Sequence, residues 1–245
     1  MAHYWKALLA LTTGLSLLTA AACSGGGSVD DTAREISNEQ LAQMVLALEQ
    51  FGPEYAAFTP QAENGVKNLD TASADDFDAA DERADLERAS FVSAYEVNFL
   101  KEAVEGAPFF LGSEVYLFAS ADGATTYLKD SEAELTENAG RTSEGSTIEA
   151  INRFEVKAGD EALGANADIS VRREDGSSTG FWLTVVEFRR GRLAGDVRMF
   201  GMGLSDIDKV RLQGKVEALA AVMNERVSGA LAVSAETAAP VAAGQ

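Results

Sequence analysis

Apolar positions recur along the chain in three patterns, and each predicts a different kind of element. Leu41, Met44, Val45, Leu48 and Phe51 fall three and four apart with Glu39, Gln43 and Glu49 off the stripe, which predicts an amphipathic helix. Ser37 followed by Gln40 is a capping-box pattern that starts this helix, and Gly52-Pro53 stops it. Over residues 91–100 the period drops to two. Phe91, Ser93, Tyr95, Val97 and Phe99 share one face and Val92, Ala94, Glu96, Asn98 and Leu100 the other, as in a strand. A second strand is expected over 114–118, after an apolar loop at 107–112 that carries Phe109 and Phe110. Ser120 then caps a helix reaching Leu135 with Ala124, Tyr127 and Leu128 inward, and 138–146 is a turn-rich polar link.

The second half reads as a meander of four strands, over 150–156, around Ala167, Ile169 and Val171, over 181–189 and over 192–200, with a turn at Asp175-Gly176. Taking Arg190-Gly191 as a two-residue turn sets Phe188 opposite Leu193, Val186 opposite Gly195, Thr184 opposite Val197 and Trp182 opposite Met199. The reverse face then pairs Phe181 with Phe200, Leu183 with Arg198, Val185 with Asp196 and Glu187 with Ala194. A hairpin bare on that side would not need Phe181, Leu183 and Val185, so these are expected to be central strands, covered on one face and partly covered on the other. Ser205 caps a last helix whose stripe is Ile207, Val210, Val216, Leu219, Ala220, Met223 and Val227. Together the elements predict an α+β fold, a largely antiparallel sheet of about six strands with helices packed on it.

The third pattern is an apolar run at 7–18, broken only by Thr12, Thr13, Gly14 and Ser16 and preceded by Lys6. It suits the core of a signal peptide and falls short of the ~20 apolar residues that cross a bilayer as a helix. Small residues lead from it to Cys23, the single cysteine, and Ser24-Gly25-Gly26-Gly27-Ser28 follows. This arrangement resembles the lipobox of bacterial lipoproteins. The resemblance implies cleavage before Cys23 and a thioether-linked lipid with fatty chains such as palmitate on its sulfur. Lipoboxes carry Leu three places before the cysteine, where this chain has Ala20. Ala20-Ala21-Ala22 also fits the A-x-A rule of ordinary signal cleavage, which would give a secreted protein instead. A lone exported cysteine has no intramolecular partner and the Gly/Ser run makes a flexible tether, so anchoring is the reading adopted. The expected organisation is a signal at 1–22, lipidated Cys23 and tether at 23–36, one α+β domain at 37–229, and a disordered Ala-rich tail at 230–245.

Composition narrows the chemistry. The formal net charge is −19, which repels phosphate backbones and removes nucleic acid from the expected partners. The one histidine, His3, lies in the signal, and Cys23 is spoken for by the lipid, so Ser-His, Cys-His and histidine-metal mechanisms have no residues to use. The acids between Asp70 and Glu87 lack the spacing and the glycine of a calcium loop and are expected to form a solvated helix or loop. Gly201-Met202-Gly203 stands where a dinucleotide loop would, but Asp206 occupies the anion-favouring helix end, and a structural turn is expected. No metal or cofactor is expected.

The run from Gly112 to Phe118 leading into Ala121, Ala124 and Tyr127, and the run from Val185 to Leu193 leading to a long final helix, resemble uncharacterised bacterial lipoproteins and the extracellular sensor domains of some bacterial serine/threonine kinases. The PsbP fold is a more distant likeness. The resemblance spans 38–227 and implies an antiparallel sheet flanked by helices with a binding or accessory role. It transfers no site residues.

The functional expectation is therefore a non-enzymatic binding or accessory module of the cell envelope, held to the membrane by its lipid and facing outside the cytoplasm, with an envelope protein or an apolar ligand as partner. Phe109, Phe110 and the cationic hairpin tip Arg189, Arg190 and Arg192 are its candidate interaction surface. Two alternatives stand beside it. A carrier of lipid or another apolar ligand needs an apolar cavity between sheet and helices. A carboxylate-based hydrolase needs a cleft holding two acids with opposed pKa shifts.

Overall fold

A computed structural model describes residues 36–74, 79–143, 145–173 and 175–237. Cys23, the signal and most of the tether lie outside the described residues. The chain enters through helix α1 (Asn38–Met44), whose box is complete: Ser37 Oγ accepts from the Gln40 amide and Gln40 Oε1 from the Ser37 amide. The expected single helix is two. Val45 adopts an extended conformation, so that the chain breaks and restarts as α2 (Leu48–Phe51). The break frees the Leu46 amide to donate to Ser113 Oγ on the sheet below, and Leu41, Met44, Val45 and Phe51 are all buried.

Six long antiparallel strands follow, as expected, with three of two or three residues at the margins. They are β1 (Thr59–Pro60), β2 (Gly65–Lys67), β3 (Phe91–Leu100), β4 (Ala107–Phe118), β5 (Thr142–Ser143), β6 (Ser146–Phe154), β7 (Glu161–Arg172), β8 (Ser178–Arg190) and β9 (Leu193–Met202). The order across the sheet is β1-β3-β4-β9-β8-β7-β6-β5, with β2 also on β3. Short helices α3 (Leu69–Ser73) and α4 (Ala79–Arg88) precede β3, α5 (Ala121–Glu137) follows β4, and α6 (Asp206–Thr237) closes the fold.

Two expectations change here. The apolar stretch at 107–112 is the first half of β4, not a loop. Phe109 and Phe110 follow each other without alternation because the β4–β9 register shifts between Pro108 and Phe110, leaving Phe109 as the extra residue of a bulge whose ring joins the same apolar cluster as Phe110, and Pro108 is tolerated at that irregularity. The hairpin turn is Gly191-Arg192, since Arg190 pairs with Leu193. Gly191 has φ +56, the left-handed conformation required at the first central position of a two-residue hairpin turn of the II′ kind. Moving the turn by one residue shifts the pairing by two, so every side chain keeps its face while its partner changes. Phe188 meets Gly195, Val186 meets Val197, and Glu187 meets Asp196.

Both faces of the sheet are covered. On one, α1, α2 and α6 bury Leu41, Phe51, Val216, Leu219, Met223 and Val227 against Val115, Val186, Phe188, Val197 and Met199. Helix α6 continues through Gly229 to Thr237, with Ala230 and Leu231 packed on this core, so residues 230–237 are not the disordered tail expected. Its first turn stands clear: Ile207 and Val210 are each 72% exposed and do not belong to the buried stripe. The other face lies under α4 and α5. It holds an aromatic cluster of Phe118, Tyr116 and Tyr127 at one end and an apolar cluster of Phe110, Phe200, Leu183 and Ile169 at the other.

Candidate functional site

Between those two clusters the face under α5 turns polar. Strand alternation and register place Glu96 of β3 opposite Glu114 of β4, Glu114 opposite Asp196 of β9, and Asp196 opposite Glu187 of β8. Four carboxyls thus stand in one rung, on strands about 4.8 Å apart, where like charges directly opposite each other repel. The next rung supplies an answer. It runs Asn98, Gly112, Arg198, Val185, and the Arg198 side chain leans back across β4 towards the carboxyls. Gly112 makes that crossing possible, because a Cβ there would lie 2.9 Å from Arg198 Cγ and Nε and from Asn98 Oδ1.

Arg198 Nη2 sits 2.9 Å from Glu96 Oε1 and 3.4 Å from Glu114 Oε2, and Nη1 sits 3.3 Å from Asp196 Oδ1. The last contact is one of charge only, since Asp196 Oδ1 makes no hydrogen bond. Lys67 of β2 is buried and reaches Glu96 Oε2 at 2.8 Å, and Asn98 Nδ2 donates to Glu96 Oε1. Glu96 is therefore the best-served member of the rung. Glu187, farthest from the cations, has Ser131 of α5 as its neighbour, and its Oε2 is closed off without a partner.

The four acids consequently titrate apart. Burial would raise Glu96, but the charges of Arg198 and Lys67 outweigh it and hold the carboxyl below its ordinary range. Glu114 is pushed well above that range by burial and then by the charge of Glu96 beside it. Burial, reinforced by Asp196, lifts Glu187 to about 7, and burial lifts Asp196 to about 6 against the pull of Arg198. Arg198 keeps its proton firmly, because Asp196, Glu114 and Glu96 overcome its desolvation. Tyr116 and Tyr127, which close the aromatic end, are raised by burial and by the neighbouring carboxylates.

Glu96 and Glu114 thus form an adjacent pair with opposed shifts, the electrostatic pattern of an acid and a base. Access is the missing half: their side chains are only 8% and 5% exposed, under α5. Among the described residues no group of three or more His, Cys, Asp and Glu side chains is placed to hold a metal ion. The acidic stretch before β3 is engaged in ion pairs where it is described, Arg83 with Asp70 and Glu87, and Arg88 with Asp85 and with Asp130 of α5.

The residues singled out from the sequence are placed differently. Phe109 and Phe110 are 2% and 3% exposed, held in the apolar cluster by edge-on contacts to Phe181 and Phe200, and offer no surface. The hairpin tip is neutralised from β7 and the loop before it. Arg189 pairs with Asp160 and Glu161, Arg190 with Asp160, and Arg192 is buried. The structure brings neither set together as a patch. The rung itself escaped the sequence because its signal, a charge at alternate places within strands too apolar to face water, becomes a cluster only in the correct register.

No known protein family and no curated protein matches the sequence. Among solved structures, the extracellular domain of PknH from Mycobacterium tuberculosis is similar in fold, with a TM-score of 0.51 at 12% identity. The match covers 80% of this chain and 98% of that domain, so the fold is shared nearly end to end of the neighbour. The likeness to an extracellular kinase domain that the sequence suggested therefore holds at the level of fold.

Proposed function

We propose that this chain is an extracytoplasmic lipoprotein, and that its folded domain binds a partner and converts nothing. One combination carries the reading: a signal-like apolar run ending at Cys23 stands ahead of a domain that shares its fold with an extracellular domain over nearly all of the latter's length. No helix among the described residues is long and apolar enough to cross a membrane, so on this reading attachment is the work of Cys23. A tether of Gly and Ser suits a domain that must reach away from its anchor. The non-catalytic part of the proposal rests on the burial of the rung: among the described residues the opposed carboxyls Glu96 and Glu114 are only 8% and 5% exposed, too little for a glycoside or ester to meet them.

The test is fractionation of cells producing the full chain and its Cys23→Ala variant, each fused at the C-terminus to alkaline phosphatase, which is active only outside the cytoplasm. The expected result is phosphatase activity with the wild type in the membrane fraction, and with the variant either released or retained as uncleaved precursor. A normally cleaved variant that stays in the membrane refutes the anchor, and an inactive fusion of the wild type refutes export.

A further inference from the structure

The carboxyl rung carries an inference that depends on neither anchor nor partner. Its cations are too few. Arg198 is shared among Glu96, Glu114 and Asp196, and Lys67 contacts Glu96. From β4 comes Tyr116, and from α4 comes buried Glu82, which adds negative potential at Tyr116 and Tyr127. Helix α5 brings Tyr127, Ser131 and buried Glu134 to its inner side and no cation, since Lys129 points outward. The neighbouring arginines are engaged elsewhere: Arg88 of α4 with Asp85 and Asp130, Arg153 of β6 with Glu132 and Thr136, and Arg189 of β8 with Asp160 and Glu161. Fully ionised, the rung would hold four negative charges against two positive ones with Glu96, Glu114 and Asp196 buried and Glu187 and Arg198 only partly open to water, a costly excess for so poorly solvated an array.

We propose that helix α5 is a proton-latched cover, seated on the sheet while the rung holds protons and lifted from it when the rung ionises. The geometry says why the cover, and not the sheet, gives way. Four of the six long strands, β4, β9, β8 and β7, are locked to long neighbours on both sides, whereas α5 is a single element resting on the face. Its middle packs on β8, with Ser131 beside Glu187. It is fastened by Tyr127 against Tyr116 and Phe118 on one side, by Leu135 in the apolar cluster on the other, and by solvent-facing ion pairs of Asp130 with Arg88 and of Glu132 with Arg153. Lifting it is the direct way to bring water to Glu187 and Asp196. The raised carboxyls Glu114, Glu187 and Asp196 support this, since each favours the protonated form with the cover in place. For an exported domain the outcome would be a response to external acidity: closed in acid, and loosened towards neutral and mildly alkaline pH.

Hydrogen exchange by mass spectrometry on the full chain at pH 5 and pH 8, corrected for the chemical dependence of exchange on pH, tests the proposal. Peptides from α5 should lose protection at least tenfold at pH 8 while α6 changes less than twofold. In Glu114→Gln/Glu187→Gln, whose amides imitate the protonated acids, α5 should stay protected at both pH values. Unchanged protection of α5 in the wild type overturns the proposal, as does an equal loss in α6, or a variant that keeps the full pH response. If the double variant does not fold, Glu187→Gln alone serves: a loss reduced to threefold or less supports the latch, and a loss as large as the wild type's overturns it.

Discussion

Gly112 decides how far Arg198 can reach. With a methyl group there the guanidinium loses its path across β4, and the contact involves Cγ as well as Nε, so the side chain cannot simply swing its far end away. Gly112→Ala is expected to destabilise the domain by about 1–3 kcal/mol in urea unfolding, the usual cost of overpacking a filled site. Arg198→Met removes the shared cation while keeping apolar bulk. It should cost about 3–5 kcal/mol at pH 8, as for a buried pair deprived of one partner, and clearly less at pH 5, where Glu114 and Asp196 carry protons and need the charge less. Equal losses at both pH values would contradict the assignment of Arg198 as the charge that balances the rung.

Among the elements, α6 divides into a free start and a buried body. Ile207→Ser and Val210→Ser should each change stability by less than about 0.5 kcal/mol, because both side chains are already in water. Leu219→Ala, in the core under the same helix, should cost about 2–5 kcal/mol. The helical period gave no warning of this division, since it reports which face a residue occupies and not how far the sheet extends beneath it. Elements whose limits are set by local chemistry were legible: the Ser37 and Ser120 caps, the turn at Asp175-Gly176, and β3 from end to end. Elements limited by tertiary cover were not. The first half of β4 lacks alternation because Phe109 is the extra residue of a bulge against β9, and the α1–α2 break exists to deliver the Leu46 amide to Ser113. The hairpin turn was misplaced by one residue, with faces right and partners wrong. That small error hid the Glu187–Asp196 pairing and with it the whole rung, which four strands far apart in sequence assemble.

At the scale of the molecule, the rung sets the pH profile of stability. Glu114, Glu187 and Asp196 bind protons more tightly folded than unfolded, so their contribution is full in acid and is lost as pH rises through their folded values, about 6 for Asp196 and about 7 for Glu187. Glu96 has the opposite sign, and its contribution is lost only on acidification below the ordinary carboxylate range. Chemical denaturation should therefore find stability falling by about 2 kcal/mol or more between pH 5 and pH 8, since Glu187 alone, with its folded value at about 7, holds its proton across roughly two of those pH units at about 1.4 kcal/mol each. A flat profile across that interval would mean that the carboxyls are solvated, not sealed. The acidic surface, with a net charge of −19, adds its own repulsion at higher pH, and raised salt should relieve that part while leaving the rung's share in place.

On the proposed function, this acidic domain is held outside the cytoplasm by a lipid on Cys23. Mass spectrometry of the N-terminal peptide of the protein extracted from membranes addresses it most directly. The account predicts a peptide that begins at Cys23 and carries the added mass of a diacylglyceryl group. A peptide beginning at Cys23 or beyond with no added lipid, or one that retains Met1, would contradict it.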